Sequence, residues 1–329
     1  MPRMTFLQAV GQAIQSEMRA DPRVFVMGED VQSGIYGDFG VQEFGPDRVR
    51  NTPISEAAIV GAGIGAALTG MRPVVEATVC TFLYCAMDQI VNQAAKMRYM
   101  FGGQARLPLV IRSQVLYGVS AAAHHSDRPW GMFAHCPGLK IVVPSTAAEA
   151  GGLMIAAIRD DNPVLWFEDS SLWGRREVVP DEVRPIPLGT AMIKRAGTDV
   201  TVTALAGAVH LSLKAAQSLE AEGISVEVID LRSVVPLDRG TILNSVAKTG
   251  RLIAVDLAPV TCSVASEIAA IVAEEAFDRL KGPVVRIAAP DIPAPYTAAL
   301  EHLMYPTAEA IAAAARQLVG RDERVSHVR

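Results

Sequence analysis

The sequence predicts an α/β protein of two doubly wound domains. Continuous apolar runs, typical of buried parallel strands, alternate with helical patterns along the chain. Half of the 329 residues are hydrophobic and 20% are charged, so the chain can bury large cores. The proline-rich segment 176–189 interrupts the pattern and is predicted to link a domain at residues 1–175 to a second domain at 190–329.

The first domain is predicted to begin with a helix at 5–18. Thr5 and Gln8 are expected to form a capping box at its N-terminus. A strand at 24–27 and a polar loop to about residue 51 follow it. The other elements predicted for this domain are a helix from Glu56, a long helix at 81–100, a helix at 146–159, strands at 73–77, 108–112, 140–143 and 164–167, and a loop at 113–137.

The second domain repeats the alternation of strands and helices. Its predicted strands lie at 200–206, 225–231, 252–256 and 284–287, and its predicted helices lie at 208–222, 238–248, 263–279 and 307–318.

Composition excludes several classes of protein. The net charge is −5 and no basic block occurs, so nucleic-acid binding is not expected. The longest uncharged run, residues 57–71, is too short and too rich in glycine for a membrane span. The N-terminus shows no signal-peptide pattern, and we therefore expect a cytoplasmic protein. The four cysteines form no CxxC pair, which favours reduced thiols over a metal site.

Glu56 is the first candidate functional residue. Pro53 and Ser55 predict the start of a helix, which places Glu56 in its first turn. The residues after it are small and apolar up to Arg72, which predicts a helix that is buried on all sides. A carboxylate in a buried helix requires a partner. The conflict between this charge and its apolar surroundings makes Glu56 a candidate for a functional role.

Two glycine motifs allow other interpretations. Gly61-Ala-Gly63-Ile-Gly-Ala66 matches a dinucleotide-binding fingerprint, which keeps an NAD-dependent dehydrogenase open as an alternative. The start of a helix, not a strand, precedes the motif, and close helix packing is the preferred interpretation. Gly37-Asp38-Phe39-Gly40 resembles half of a metal-diphosphate motif, but no second oxygen ligand follows it, so we interpret it as a turn.

Two further sites remain open from the residues alone. His124-His125 lies in the long loop after a predicted strand, where ligands of open α/β sheets bind and a histidine can move protons. A solvated loop histidine is the alternative. The predicted helix end near Asp160 has free carbonyl groups that can hold a cation, or it is a simple Asn-Pro stop signal.

Glu56 and its flanks, Thr52-Pro-Ile-Ser-Glu-Ala-Ala-Ile-Val-Gly61, resemble the β subunits of thiamine-diphosphate-dependent 2-oxo acid and acetoin dehydrogenases, of the transketolase superfamily. Matching pieces cover nearly the whole chain, including Arg72-Pro-Val-Val-Glu76, His135-Cys-Pro-Gly138 and Ile158-Arg-Asp-Asp-Asn-Pro163. The resemblance implies a pyrimidine-binding domain at 1–175 and a transketolase C-terminal domain at 190–329. It further implies thiamine diphosphate shared with an α subunit that holds Mg²⁺, an α2β2 heterotetramer, and a lipoyl acyltransferase core as partner.

The resemblance also implies roles for single residues. Glu56 would hydrogen-bond the pyrimidine ring nitrogen and promote the imino tautomer that removes the thiazolium proton. Phe82 would stack on the pyrimidine. His125 would orient or protonate a small-molecule substrate and help to pass the acyl group to lipoamide. A potassium site would be formed by the main-chain oxygens of Leu109, Ala157, Ile158, Asp160 and Asn162.

The substrate is left open by departures from the family pattern. Asp127-Arg-Pro-Trp130 follows His125-Ser126, where the family usually has Gln and then an apolar or acidic stretch. Acetoin and 2-oxo acids such as pyruvate both remain candidates, although Cys85-Ala-Met-Asp88 favours acetoin. A non-catalytic scaffold subunit of such a complex is a further alternative.

Overall fold

The computed structural model describes residues 2–116 and 118–326, with side chains up to residue 320. The chain divides into two compact units. The first contains the chain up to Leu188 together with Val234–Pro236, and the second contains the remainder. Residues 176–188, which form most of the predicted linker, thus belong to the first unit. The domain boundaries at 175 and 190 stay a prediction.

The elements of the first unit alternate largely as the sequence predicts. Its helices are α1 (Phe6–Ala20), α2 (Val41–Phe44), α3 (Glu56–Leu68), α4 (Ala95–Met100), α5 (Trp130–Ala134) and α6 (Ala147–Arg159). Its strands are β1 (Arg3–Thr5), β2 (Val24–Gly28), β3 (Val49–Asn51), β4 (Arg72–Val79), β5 (Val110–Val115), β6 (Lys140–Val142), β7 (Val164–Asp169) and β8 (Arg176–Val178).

The elements of residues 189–326 continue this alternation. The strands are β9 (Met192–Arg195), β10 (Val200–Ala204), β11 (Val226–Asp230), β12 (Ser233–Val235), β13 (Leu252–Pro259) and β14 (Val285–Ala289). The helices are α7 (Gly207–Glu220), α8 (Arg239–Thr249), α9 (Val264–Glu275), α10 (Ala298–Glu301) and α11 (Ala308–Ser326).

A central sheet organises the first unit. Among the described residues its seven strands follow the order β12-β6-β7-β5-β4-β2-β3, and the pairs from β6 to β3 are parallel. Val74 of β4 belongs to the core under α1 and α6, whereas its neighbour Val75 faces α3. Successive side chains of a strand point to opposite faces, so helices cover this sheet on both sides, as predicted.

The second unit has a smaller sheet with one unpredicted edge. Its described strands follow the order β14-β13-β10-β11-β9. The inner pairs are parallel, but β9 runs antiparallel to β11. Strand β9 is absent from the sequence predictions because a four-residue edge strand has little apolar pattern of its own.

Three local predictions require correction. The helix predicted at 81–100 is a 3-10 segment at Cys80–Ala86, a π-type segment at Asp88–Ala94, and α4. The loop predicted from 28 to 51 contains α2 and β3, and the loop at 113–137 contains α5, while Tyr117 within it lies outside the described residues. Tertiary contacts of these segments override their local helix or loop pattern.

The prediction that α3 is buried on all sides is also wrong for this chain. Ile59, Gly63 and Ile64 face the sheet and are buried. The opposite side is exposed and consists of Ala58, Ala62, Gly65 and Leu68. Small apolar residues all round the helix leave it without a polar face, but a single sheet covers only one of its sides. No described helix combines the length and apolar character needed to cross a bilayer.

Candidate active site

Glu56 is the first residue of α3, where the helix presents free backbone N–H groups. Ser55 occupies the N-cap position, but its side chain makes no capping hydrogen bond. The Glu56 side chain is half-buried and has no hydrogen-bond or ion-pair partner among the described residues. Buried polar groups normally have partners, so a half-buried carboxylate without one is available to a ligand.

Glu29 lies immediately after β2, within electrostatic reach of Glu56. Burial raises the pKa of Glu29, and the negative charges of Glu56 and Asp30 raise it further. Beside it, the Thr52 N–H donates to the Gly28 carbonyl at 3.0 Å, while the buried Thr52 Oγ1 has no partner within the described chain. No role was predicted for Glu29, although an acid directly after a parallel strand was an available signal.

Phe82 and His125 meet through their rings. Phe82 lies on the 3-10 segment Cys80–Ala86, and His125 ends a 3-10 turn at Ala123–His125. The ring centroids are 5.4 Å apart and the ring planes are inclined by 73°, an edge-to-face contact. The segment that carries Phe82 also packs against α3. Two of the predicted site residues are therefore in contact, and the helix of the third is adjacent.

The three predicted residues follow the carboxyl ends of parallel strands. The Phe82 segment follows β4, the His125 loop follows β5, and α3 follows β3. Ligands of open α/β sheets bind at this edge. A carboxylate, an aromatic face and a histidine can together hold a nitrogen heterocycle and move a proton near neutral pH. The Glu56 carboxylate and the Thr52 hydroxyl, neither of which has a partner in the described part of the chain, fit a polar ring ligand.

The predicted potassium ligands gather where α6 ends. The Leu109 carbonyl accepts the Val164 N–H at 2.8 Å, and the Ala157 carbonyl accepts the Asp160 N–H at 3.3 Å. A guanidinium nitrogen of Arg72 donates to the carbonyls of Ile158 and Asp160 at 2.9 and 3.2 Å. Each carbonyl oxygen keeps a second lone pair, but the positive charge of Arg72 already lies against two of the five carbonyls.

The side chains at this helix end are themselves paired. Burial alone would raise the pKa of Asp160, but hydrogen bonds from Lys140 and Asn162 bring it below its usual range. Asn162 also accepts a hydrogen bond from Arg98 at 2.7 Å. Within residues 2–116 and 118–326, no group of three or more His, Cys, Asp or Glu side chains could hold a metal ion.

The Gly61–Ala66 motif has the geometry of a packing surface. It lies inside α3, after the helix has begun, and not at a turn between a strand and a helix. A Cβ atom at Gly63 would lie 2.6 Å from Val75 Cγ2, so glycine permits close contact with β4. The packing interpretation is supported, and the geometry of a phosphate-binding loop is not found here.

The other rejected motif also behaves as predicted. The Asp38 carboxylate accepts the Gly40 N–H at 2.8 Å, and Gly40 has a left-handed φ of 75°. An Asp that bonds the backbone two residues later closes a turn. Asp38 is therefore engaged in local structure.

Known protein families match both units of the chain. The family described as "Transketolase, pyrimidine binding domain" matches residues 3–174, and the family "Transketolase, C-terminal domain" matches residues 189–311. Among solved structures, a split-gene transketolase, described as an inactive β4 tetramer, has a TM-score of 0.82 and 25% identity, covering 96% of this chain and 99% of that one.

Several curated relatives are similar over nearly their whole length. The acetoin:2,6-dichlorophenolindophenol oxidoreductase subunit beta of Cupriavidus necator is 44% identical over 328 residues, covering 96% of this chain and 97% of the relative. The pyruvate dehydrogenase E1 component subunit beta of Rickettsia bellii is 43% identical over 310 residues, with coverage of 93% and 95%. The 2-oxoisovalerate dehydrogenase subunit beta of Bacillus subtilis is 42% identical over 324 residues, with coverage of 97% and 99%. The chain therefore belongs to the transketolase family, among the β subunits of the acetoin and 2-oxo acid dehydrogenases.

Proposed function

We propose that this chain is the catalytic β subunit of a thiamine-diphosphate-dependent dehydrogenase. The complex would cleave acetoin or oxidatively decarboxylate a 2-oxo acid and pass the acyl unit to a lipoyl acyltransferase. The observation that supports this most directly is the Glu56 carboxylate, half-buried and without a partner among the described residues. Its helix packs against the segment whose Phe82 ring contacts His125. A scaffold subunit would have no need to keep that carboxylate free.

Each residue has a distinct task in this proposal. When bound, thiamine diphosphate supplies the nucleophilic carbon and the electron sink for cleavage next to a carbonyl group. Glu56 holds a proton at the pyrimidine ring nitrogen, and the Phe82 ring packs against the pyrimidine. His125 hydrogen-bonds the substrate oxygen and moves a proton there, because an imidazole ring can both donate and accept a proton. Burial raises the pKa of Glu29 beside this site, and the negative charge of Glu56 raises it further.

A second subunit completes the site. The family's β subunits work with an α subunit, and the diphosphate and Mg²⁺ would be held by that chain, since Asp38 here closes a turn. The exposed apolar side of α3, next to Glu56, is a suitable surface for this partner. An α2β2 heterotetramer, contact with a lipoyl acyltransferase core, and a potassium ion at the end of α6 are parts of the same proposal. The cytoplasmic location stays a prediction.

The test is Glu56→Gln in the complex co-expressed with its α subunit. Turnover would be followed with a dye acceptor on acetoin, pyruvate and branched 2-oxo acids. The substitution keeps the size of the side chain but removes the proton-holding carboxylate, so we expect kcat to fall about 10²–10⁴-fold. Glu182→Gln, at a residue whose side chain is 80% exposed, is the matched control. Unchanged turnover in Glu56→Gln would identify a scaffold subunit.

A further inference from the structure

The loop that carries His125 is fastened to the segment that carries Phe82. The Thr81 hydroxyl donates to the His124 carbonyl at 2.5 Å, and the Cys80 thiol donates to the Asp127 carbonyl at 3.0 Å. The Tyr84 hydroxyl donates to the Asp127 carboxylate at 2.9 Å. These bonds lie on both sides of the contact between the two rings, so they set where the His125 ring lies.

The hydrogen bond between Tyr84 and Asp127 is the most exposed of these three hydrogen bonds. Thr81 is 8% exposed and Cys80 fully buried, whereas Tyr84 is 39% exposed. Burial raises the pKa of the Tyr84 phenol, and the Asp127 charge raises it further, so the phenol keeps its proton and donates at neutral pH. Asp127 is held at two points, its main-chain carbonyl and its side chain. Such a two-point attachment restrains both position and rotation.

The remainder of the loop is braced internally. The Arg128 guanidinium donates to the carbonyl of Ser126 and, at 3.1 Å, to that of Leu116. Ser120 and Ala122 have left-handed φ angles of 55° and 61°, which are unfavourable for residues with a side chain. Such strained positions persist only where surrounding contacts hold them, and the bonds to Cys80, Thr81 and Tyr84 are among those contacts.

We propose that Tyr84 and Asp127 are positioning residues that hold the His125 ring against Phe82, and so set substrate affinity and acyl transfer. This inference rests on the proposed function, because it assigns the pair to the substrate side of the same site. We call the pair the latch. Loss of the latch lets the His125 loop open, which weakens the contacts that need the ring in place but leaves the cofactor contact of Glu56 intact.

A double-mutant cycle in the co-expressed complex tests the latch. Tyr84→Phe removes the donor, Asp127→Ala removes the acceptor, and Tyr84→Phe/Asp127→Ala removes both. A hydrogen bond to a charged group in a partly exposed place leads us to expect about a fivefold fall in lipoamide-coupled kcat/KM for each single variant. The double variant should fall no further, since both changes remove one interaction. Thiamine-diphosphate affinity, from calorimetry, should stay within about twofold.

Three further variants show how large the effect of the latch on activity is, compared with smaller and larger changes. Asp127→Asn keeps an acceptor for the phenol and should retain most of the activity. His125→Ala removes the ring itself, so it should cripple acyl transfer more than any latch variant, again with cofactor binding spared. Tyr296→Phe, at a tyrosine that is 75% exposed, is the control for the loss of a hydroxyl group and should match the wild type.

Hydrogen–deuterium exchange gives a reading that does not depend on turnover. Amides of residues 118–128 should exchange about fivefold faster in both single variants and no faster in the double variant than in either single one. Additive effects on kcat/KM, or exchange equal to that of the wild type, would overturn the latch. If the wild-type complex turns over none of the substrates, the proposed function fails, while the exchange data still decide whether the latch exists.

Discussion

Arg112 supplies one positive charge between two buried carboxylates. Its guanidinium binds Glu168 through two nitrogens, each at 2.7 Å, and pairs with Glu76 through a third. All three side chains are at most 1% exposed. The cluster is shielded from water and has one positive charge for two carboxylates. Burial therefore raises the pKa of Glu76 to about 7. A further bond from Arg112 to the Tyr36 carbonyl, at 2.8 Å, ties the loop after Glu29 to this cluster.

The cluster predicts that stability depends on pH. The pKa of Glu76 is higher in the folded chain than in the unfolded chain, where it is near 4.5. The folded state therefore binds the proton more tightly, and the contribution of Glu76 to stability is lost as pH rises from about 4.5 to about 7. Arg112→Met removes the positive charge that offsets the two carboxylates, so its cost should grow as Glu76 ionises.

Urea unfolding of Arg112→Met measures this dependence. We expect a loss of roughly 3–5 kcal/mol in the free energy of unfolding at pH 8, and a smaller loss at pH 5.5. Arg106→Met is the matched control, since Arg106 is 74% exposed and pairs with Asp161 at 3.4 Å. Its effect should stay within about 1 kcal/mol. An equal loss for Arg112→Met at both pH values would contradict a titrating cluster.

Residues with a local signal could be named as candidates from the sequence, and those without one could not. Glu56 begins a helix with no other charge, and His125 lies in a loop after a strand, so the pattern around each makes it a candidate. Arg112 is 36 residues from Glu76 and 56 from Glu168, and no local pattern connects such positions. The bond between Tyr84 and Asp127, 43 residues apart, had no signal for the same reason.

At the scale of elements, α3 has two different sides. A Cβ atom at Gly63 would lie 2.6 Å from Val75 Cγ2 and 3.2 Å from Leu109 Cδ1, whereas one at Gly65 would meet nothing within 4 Å. Gly63→Ala should therefore lower the free energy of unfolding by about 1–3 kcal/mol through overpacking. Gly65→Ala should raise it by up to about 1 kcal/mol, because alanine favours the helix.

Denaturant unfolding of the isolated chain compares the two variants. The pair is well matched, since both are glycine-to-alanine changes two residues apart on one helix. Similar effects of the two substitutions would argue against close packing of α3 on β4 as the reason for Gly63, and would reopen the alternative interpretation of the glycine motif.

Elements with strong local signals were predicted well. The capping box of α1 is confirmed, with Thr5 accepting the Gln8 N–H and the Gln8 side chain accepting the Thr5 N–H. The region from Thr81 to Met100 was predicted as helical, but its 3-10 and π segments were not. The tighter 3-10 turn brings Thr81 and Phe82 against the His125 loop, and this requirement comes from a distant part of the chain.

At the scale of the whole molecule, the fold class and the family were predictable because they depend on patterns repeated along the chain. The order of strands was not, since β12 joins the sheet of the first unit from residues 233–235. The sequence also did not predict which apolar side chains of the first unit are exposed. Ile54 and Met100, for example, are 80% and 73% exposed. Exposed apolar side chains of this size are compatible with the partner surface proposed above.

The last prediction concerns the isolated chain. In the proposed function, Glu56, Phe82 and His125 contact a pyrimidine and a substrate, while Asp38 is engaged in a turn and the described residues offer no metal cluster. The purified β chain alone should therefore show no saturable, Mg²⁺-dependent binding of thiamine diphosphate in calorimetry.

Addition of the α subunit should create that binding and the turnover together, because each chain would contribute half of one site. Size-exclusion chromatography with light scattering should then give the mass of two α and two β chains. The Glu56→Gln complex should have the same mass, which separates assembly from catalysis. Tight Mg²⁺-dependent binding by the β chain alone would show that the diphosphate site lies in this chain, and the shared-site proposal would have to be abandoned.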